Sequence, residues 1–104
     1  MIMPKVQIHV DKEHTVHIDI AGPLNHTTWA AIRRECHELD DLRVVRVNLA
    51  GVQSIDSAGI GVLLMIRECA EKKNGRVMIT GAMKNPNVNQ IVKLAHLDKI
   101  FTIE

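Results

Sequence analysis

The residues with the clearest chemical potential are Asp56, Ser57, Ala58 and Gly59, which stand directly before the apolar run 60–66. Ser and Asp commonly cap helices, because their side-chain oxygens accept hydrogen bonds from unpaired backbone N–H groups. Ser57 is therefore interpreted either as a helix cap or as a serine on which another protein acts. If Asp56 makes the cap, the Ser57 hydroxyl is left available.

Nothing in the sequence equips Ser57 to be a catalytic nucleophile. Asp56 and Ala58 flank it, so the G-x-S-x-G motif is absent, and no His–acid pair can be assigned to activate it. The glycine-bearing segment 51–61 lacks the Lys-Ser/Thr end of a P-loop and the G-x-G-x-x-G fingerprint. We therefore predict that the protein is a substrate and not an enzyme, with a small nucleotide-binding enzyme as a weak alternative.

The segment 57–73 predicts a helix with two different sides. At about 100° per residue, one stripe roughly 120° wide collects Val62, Leu63, Ile66, Cys69 and Ala70. The opposite side collects Arg67, Glu68, Glu71, Ile60 and Leu64, with Gly61 at its edge and Ser57 above it. An apolar patch rimmed by charge suits a protein–protein contact. A helix buried on nearly all sides would give the same pattern, so both interpretations stay open.

Phosphorylation of Ser57 would separate the stability of the fold from binding at its surface. A phosphate adds about −1.5 to −2 charges, and a helix N-terminus tolerates such a group. The fold should therefore survive. An interface centred on Ile60 and Leu64 should not, because the charged group would have to be desolvated within it.

Periodicity along the chain predicts a single α/β domain spanning residues 1–104. Strands are predicted at 5–10, 15–20, 43–52, 76–82 and 99–104, with helices at 25–39, 57–73 and 85–95. The first two strands form a hairpin, and Gly22-Pro23 is predicted to end the second. The order ββαβαβαβ implies a mixed, mostly parallel sheet with three to four helices packed on it. Val44, an apolar residue on the second face of its strand, suggests that both sheet faces are covered.

Composition argues against several partners and cofactors. The net charge is +1 with no basic block, and the chain has one Trp, one Phe and no Tyr, so nucleic-acid binding is not expected. No apolar run is long enough to span a bilayer, and we expect a cytoplasmic protein without membrane insertion. The six histidines show no metal-ligand spacing, so no metal or cofactor is expected. Cys36 and Cys69 are predicted to be buried, reduced thiols rather than a disulfide.

The sequence resembles the STAS family, and specifically the bacterial anti-sigma-factor antagonists. "DSAGIGVLL" is similar to that family's phosphorylation-site signature, and "IAGPLNHTTW", "VNLAGVQSIDSAG" and "MITGAMKNPNVNQIVKLAHLDKIFTIE" extend the resemblance over nearly the whole chain. Three departures are visible. Gly22-Pro23-Leu24-Asn25 stands where the family often has Gly-Glu-Leu-Asp, Ala58 replaces a frequent hydroxyl residue, and Ala95-His96-Leu97 lacks a glycine before the leucine.

The resemblance implies a mechanism called partner switching. The unmodified protein would bind an anti-sigma factor that is also an ATP-dependent serine kinase, and the sigma factor would be released. Phosphorylation of Ser57 would end that binding, and a serine phosphatase acting on phospho-Ser57 would restore it. The partner-binding residues would be Asp56, Ser57, Ala58, Gly59, Ile60, Gly61, Leu64, Asn25 and Glu68. The alternatives are a STAS subunit of a membrane transport complex, and a partner-switch regulator whose output is not a sigma factor.

Overall fold

A computed structural model describes residues 4–104 of the chain. Within these residues, five strands and three α-helices follow one another in the predicted order ββαβαβαβ. The strands are β1 (Lys5–Val10), β2 (Thr15–Leu24), β3 (Val44–Ile55), β4 (Arg76–Thr80) and β5 (Thr102–Ile103), and the helices are α1 (His26–Glu38), α2 (Ser57–Glu71) and α3 (Pro86–Leu94). Short 3₁₀ turns at Ala82–Lys84 and Leu97–Lys99 flank α3. The predicted α/β fold class is confirmed.

The five strands form one mixed sheet in the order β1-β2-β3-β4-β5. β1 pairs with β2 as an antiparallel hairpin, and β2, β3, β4 and β5 run parallel. Each parallel neighbour is reached through a connection that contains a helix. Because such crossovers are right-handed and the order always advances in one direction, all three helices lie on the same face of the sheet.

This one-sided arrangement corrects the expectation that both faces of the sheet are covered. Val45, Val47 and Leu49 point to the helices and are buried, whereas the alternate residues of β3, including Val44 and Arg46, are only half-buried. The Val44 side chain lies on the face without helices. One apolar residue at the start of a strand is therefore insufficient to indicate a second covering layer, which needs a continuous apolar run.

The strand β2 also runs further than predicted. Gly22 and Pro23 do not end it, and pairing with β3 continues to Leu24 through register shifts on either side of Ala21 and Gly22. Gly22 has φ 84°, a backbone conformation that glycine adopts without a steric penalty. The irregularity absorbs the proline, which has no N–H to donate to the ladder. As a result, β2 reaches as far as the end of β3.

The core lies between the sheet and the helices and is almost entirely aliphatic. Fully buried side chains come from β2, β3, β4 and from the inner stripes of the helices, for example Leu24, Ile32, Leu49, Leu63 and Ile79. Phe101 is the one buried aromatic side chain among the described residues. Packing of α2 by its predicted stripe fixes which residues of that helix face outward.

Candidate functional site

The candidate site forms where β2 and β3 end side by side. Leu24 is paired with Ile55 in the parallel register, so the next residues in each chain segment, Asn25 and Asp56, are neighbours at one edge of the sheet. Each of them is the N-cap of the helix that follows. The fold therefore brings the N-termini of α1 and α2 to the same edge.

Asp56 is the cap of α2, and this leaves Ser57 as the first helical residue. The backbone N–H of Gly59 donates to Asp56 Oδ1 at 2.7 Å, and the N–H of Ile60 donates to the Asp56 carbonyl oxygen at 3.0 Å. Asp56 has the extended backbone typical of an N-cap, with φ −104° and ψ −177°. Of the two interpretations of Ser57 as cap or as available hydroxyl, the structure assigns the cap to its neighbour.

Ser57 is exposed to solvent, as are its neighbours Asp56 and Ala58. Within residues 4–104, the Ser57 hydroxyl has no hydrogen-bond partner, whereas the polar side chains of Asp56 and Asn25 are engaged in caps. An exposed, unbonded hydroxyl at a helix N-terminus can be reached by a transferring enzyme without unfolding. The chain contains one other serine, Ser54, which is also exposed and lies near the end of β3.

The two glycines that follow serve different purposes. A Cβ on Gly59 would lie 2.1 Å from the Leu24 carbonyl oxygen and 2.8 Å from the Leu24 carbonyl carbon, so only glycine lets α2 pack against the end of β2. Gly59 is accordingly buried. A Cβ on Gly61 would meet nothing within 4 Å. Gly61 is therefore a flat, half-exposed point on the helix rather than a packing requirement.

The outward side of α2 is only partly as the sequence predicted. All five residues of the predicted core stripe are buried, and Leu64 is 40% exposed among polar neighbours. Ile60 is half-buried and packs against the core, so it contributes less open apolar surface than expected. Glu68 is exposed one turn beyond Leu64, with Lys72 Nζ 3.5 Å from its carboxylate. We call the outward-facing set Ser57, Ala58, Gly61, Leu64 and Glu68 the α2 surface; Gly61 is half-exposed and the other four are exposed.

Asn25 contributes chiefly to the start of α1. Its Oδ1 accepts from the Thr27 N–H at 3.0 Å, and its own N–H donates to Thr28 Oγ1 at 3.2 Å, which forms a capping box. The side chain is half-buried. Its predicted role in partner binding therefore has to be compatible with a structural role that occupies its acceptor oxygen.

Two features next to the α2 surface were not predicted. Met65 is 38% exposed beside Leu64; on the helical wheel it lies about 140° from Ile60, at the border of the core stripe, where periodicity does not decide orientation. A groove of about 310 Å³ between β3 and α3 is lined in part by Ser54, Asn87 and Gln90. No local sequence motif marks that groove, because its two sides are distant along the chain.

Within the described part of the chain, no group of three or more His, Cys, Asp or Glu side chains is placed to hold a metal ion. Residues 4–104 contain no helix that is long and apolar enough to cross a membrane. Among the described residues, the site consists of the Ser57 hydroxyl, the two helix caps and the partly apolar surface around Leu64.

Comparison with known families identifies the domain. Residues 9–103 match the family model described as "Mlab, STAS domain". The chain belongs to the STAS domain family. The family resemblance predicted from the "DSAGIGVLL" motif is therefore confirmed, and the match covers nearly the whole chain.

Solved structures with the same fold include both regulators and transporter domains. An anti-sigma factor antagonist from Mycobacterium paratuberculosis is 18% identical, with 97% of this chain and 85% of that chain covered and a TM-score of 0.78. The Bacillus cell fate determinant SpoIIAA in its phosphorylated form is 19% identical, with 96% and 91% covered and a TM-score of 0.73. The STAS domain of a SulP transporter from Vibrio cholerae is 21% identical, with 92% and 77% covered and a TM-score of 0.72.

At these identities the likeness establishes the fold and not the partner. STAS domains of both kinds share the overall fold of this chain. The chemistry of the α2 surface therefore has to separate the possible functions.

Proposed function

We propose that the protein is a partner switch controlled by phosphorylation of Ser57. In the unmodified state it binds, through the α2 surface, an anti-sigma factor that is also an ATP-binding serine kinase, and the sigma factor is released. The kinase then transfers the γ-phosphoryl group of ATP to Ser57 Oγ, ADP leaves, and the complex separates. A serine phosphatase hydrolyses phospho-Ser57 and restores binding.

The observation that carries this proposal is the state of the Ser57 hydroxyl. It is exposed and unbonded within the described residues, because Asp56 makes the cap with Gly59. It also lies at the beginning of a helix whose outward side presents the 40% exposed Leu64. A modifiable group and an apolar contact surface thus occur together, with no catalytic base assigned beside them. In this proposal the protein is a binding protein of the cytoplasm and not an enzyme.

The effect of phosphorylation follows from charge and solvation. The phosphate adds about −1.5 to −2 charges next to the Asp56 carboxylate. The helix N-terminus offsets part of this cost within the isolated domain, because its N–H groups and dipole favour anions. In a complex that covers Leu64, the same phosphate would have to give up water without a matching cation, which is costly. Phosphorylation therefore weakens binding without unfolding the domain.

The residues of the motif divide into two groups in this mechanism. Ser57, Ala58 and Gly61 are accessible to a partner, whereas Gly59 is enclosed by β2 and acts by allowing the close approach of α2. Ile60 is half-buried, packs against the core and supports the α2 surface from beneath. The contributions of Glu68 and Asn25 to binding stay predictions. Glu68 would contact the partner as an exposed polar neighbour of Leu64, and Asn25 would do so from its position at the edge where α1 and α2 begin.

The test uses Ser57→Ala and Ser57→Asp in the native cells, with Ser54→Ala as the matched control. Affinity purification under mild conditions, followed by mass spectrometry, identifies the bound kinase and locates phosphate. Wild type and Ser54→Ala should carry phosphate on Ser57. Ser57→Ala should carry none and retain the kinase, and Ser57→Asp should retain less. Absence of phosphate at Ser57 under all growth conditions, or equal kinase recovery with the Ala and Asp variants, would contradict the proposal.

A second candidate is a subunit that is bound stably to a membrane transport complex. It is favoured by the similarity in fold to the SulP transporter STAS domain of Vibrio cholerae. The same purification distinguishes the two, because a transport ATPase recovered equally with Ser57→Ala and Ser57→Asp would support the transport subunit. Recovery of a kinase whose other target is not a sigma factor would instead indicate a partner switch with a different output.

A further inference from the structure

The two cysteines of the chain form a second feature of interest, away from Ser57. Cys36 lies in the last turn of α1 and Cys69 in the second half of α2, and a disulfide joins them with their Cα atoms 6.2 Å apart. That separation is within the range of disulfides generally. Both residues are buried as predicted, but the prediction of separate reduced thiols was wrong. The reason is that α1 and α2 lie side by side on the same sheet face, so their apolar sides meet.

The pair lies beneath a groove that opens to solvent between α1 and α2. The groove has a volume of about 340 Å³ and is lined by Trp29, Arg33, His37, Met65, Glu68, Cys69, Lys72 and Lys73. Cys69 is among these residues and Cys36 is not. Although Cys69 is only 8% exposed, a small reagent can approach it through the groove. Arg33, Lys72 and Lys73 outnumber the single carboxylate of Glu68, and electropositive surroundings favour the nucleophilic thiolate.

The structure also accommodates the two cysteines as thiols. Cys69 Sγ lies 2.7 Å from the Cys36 carbonyl oxygen, so a reduced Cys69 has an acceptor for its S–H group. Lys73 Nζ donates to the carbonyl oxygens of Cys36 and His37 at 3.3 and 3.2 Å and also to that of Leu39. These bonds hold the end of α1 against α2 without the sulfur–sulfur bond. Loss of the disulfide therefore leaves the Cys69 thiol with an acceptor, and the contact between α1 and α2 keeps its Lys73 hydrogen bonds.

We propose that Cys36 and Cys69 are a reversible thiol–disulfide pair that responds to hydroperoxides. The Cys69 thiolate attacks one oxygen of the hydroperoxide, the O–O bond breaks, and Cys69 becomes a sulfenic acid. The other oxygen leaves as an alkoxide or hydroxide ion and is protonated to an alcohol or, from hydrogen peroxide, to water. The Cys36 thiolate then displaces hydroxide from the sulfenic sulfur, the hydroxide is protonated to water, and the disulfide forms. A dithiol reductant returns both thiols and is itself oxidised to a disulfide. In a reducing compartment, protein disulfides are mostly transient and redox-sensing.

In this proposal, oxidation adds a covalent bond between α1 and α2 beneath the α2 surface. The disulfide closes a loop with a sequence separation of 33 residues, which contains β3, Asp56 and Ser57. Closing such a loop restricts the unfolded chain and raises the thermal midpoint, by roughly 10 °C or more for a domain of this size. The cycle is a property of the chain alone, and it does not rest on the proposed partner switch.

The test begins with the purified wild-type chain, reduced with dithiothreitol and freed of reductant. Stoichiometric hydrogen peroxide should convert it to a species lighter by two hydrogen atoms, with a peptide cross-link between Cys36 and Cys69 and a higher thermal midpoint. Dithiothreitol added to the folded protein should reverse all three changes. Addition of oxygen without a cross-link, or a disulfide that resists dithiothreitol until the protein is unfolded, would overturn the proposal.

Single variants test the assigned order of events. Cys36→Ser should trap the sulfenic acid on Cys69, detectable with dimedone, because the resolving thiol is missing. Cys69→Ser should react with peroxide more slowly, since Cys36 does not line the groove. Equal rates for the two variants would refute the role of the groove. If either variant is unfolded, cysteine-specific labelling of reduced wild type gives the same comparison, with faster reaction of Cys69 expected and faster reaction of Cys36 decisive against it.

Discussion

Replacing each glycine of the Ser57 motif by alanine should change stability in opposite directions. Alanine is better than glycine inside a helix by about 0.5–1 kcal/mol. At Gly61 the new methyl group meets nothing within 4 Å, so the whole gain should appear as increased stability. At Gly59 the methyl group would lie 2.1 Å from the Leu24 carbonyl oxygen, and backbone has to shift. Such overpacking costs about 1–3 kcal/mol, which outweighs the helix gain and gives a net loss of about 1–2 kcal/mol.

The assay is urea unfolding followed by far-ultraviolet circular dichroism, with thermal unfolding as a second measure. Gly61→Ala should raise the free energy of unfolding by about 0.5–1 kcal/mol, and Gly59→Ala should lower it. The disulfide state has to be the same in all samples, because it shifts every midpoint. A destabilised Gly61→Ala or an unaffected Gly59→Ala would show that α2 does not pack on β2 as described.

A larger substitution at Gly61 separates an effect on binding from an effect on stability. Gly61→Arg adds a good helix former at an open position, so the domain should stay at least as stable as wild type. In the proposed complex the long side chain occupies space that the partner needs. Kinase recovery with Gly61→Arg should therefore fall although the protein is folded. Full recovery would place the partner interface elsewhere on the domain and would refute the α2 surface.

Four further substitutions probe the site and its supports by thermal unfolding and partner recovery. Leu64→Glu should leave the free energy of unfolding within about 0.5 kcal/mol of the wild-type value and abolish partner recovery. Ile60→Glu should also abolish partner recovery, and it should lower the free energy of unfolding by about 1–3 kcal/mol, because Ile60 packs on the core. Equal stability of the two variants would contradict the difference in burial between Leu64 and Ile60. Asp56→Ala should cost about 0.5–2 kcal/mol through loss of the cap. Asn85→Ala should lower the free energy of unfolding by about 1–3 kcal/mol, because Asn85 caps α3 and donates to the Val52 carbonyl oxygen at 2.5 Å. An unchanged free energy of unfolding would mean that α3 is held by apolar contacts alone.

Element order was predictable because the period of the apolar residues changes cleanly along this chain. The alternation of Val16, Ile18 and Ile20 can serve only a strand with one buried face, and the structure buries all three. The end of β2 was not predictable. Gly22 and Pro23 are ordinary strand breakers in isolation, and only the pairing partner supplied by β3 carries the strand through its bulge to Leu24.

The site shows the same division between local and tertiary information. A cap before α2 and the position of Leu64 among charged residues follow from residue types and helical spacing. The sequence left open whether Asp56 or Ser57 makes that cap and whether Leu64 is exposed, and the structure assigns the cap to Asp56 and leaves Leu64 40% exposed. The burial of Gly59 depends on the Leu24 carbonyl oxygen, which comes from another strand. The contact of Cys36 with Cys69 likewise depends on two helices packing side by side. Neither contact can be predicted from the sequence around the residue concerned.

Positioning by parallel strands explains how one motif could serve both folding and the proposed switch. The register of β2 with β3 fixes Asp56 beside Leu24, and the Asp56 carboxylate is then used by the Gly59 N–H. Because this bond holds the helix start, Ser57 is not needed for capping, and its hydroxyl can change charge without removing a structural hydrogen bond. A phosphate there competes with Asp56 for the same positive end of α2, but the buried stripe of the helix is unaffected. In the proposed switch, a phosphate on Ser57 would therefore act on the surface potential around Leu64, and it could block a partner without any rearrangement of the sheet or helices.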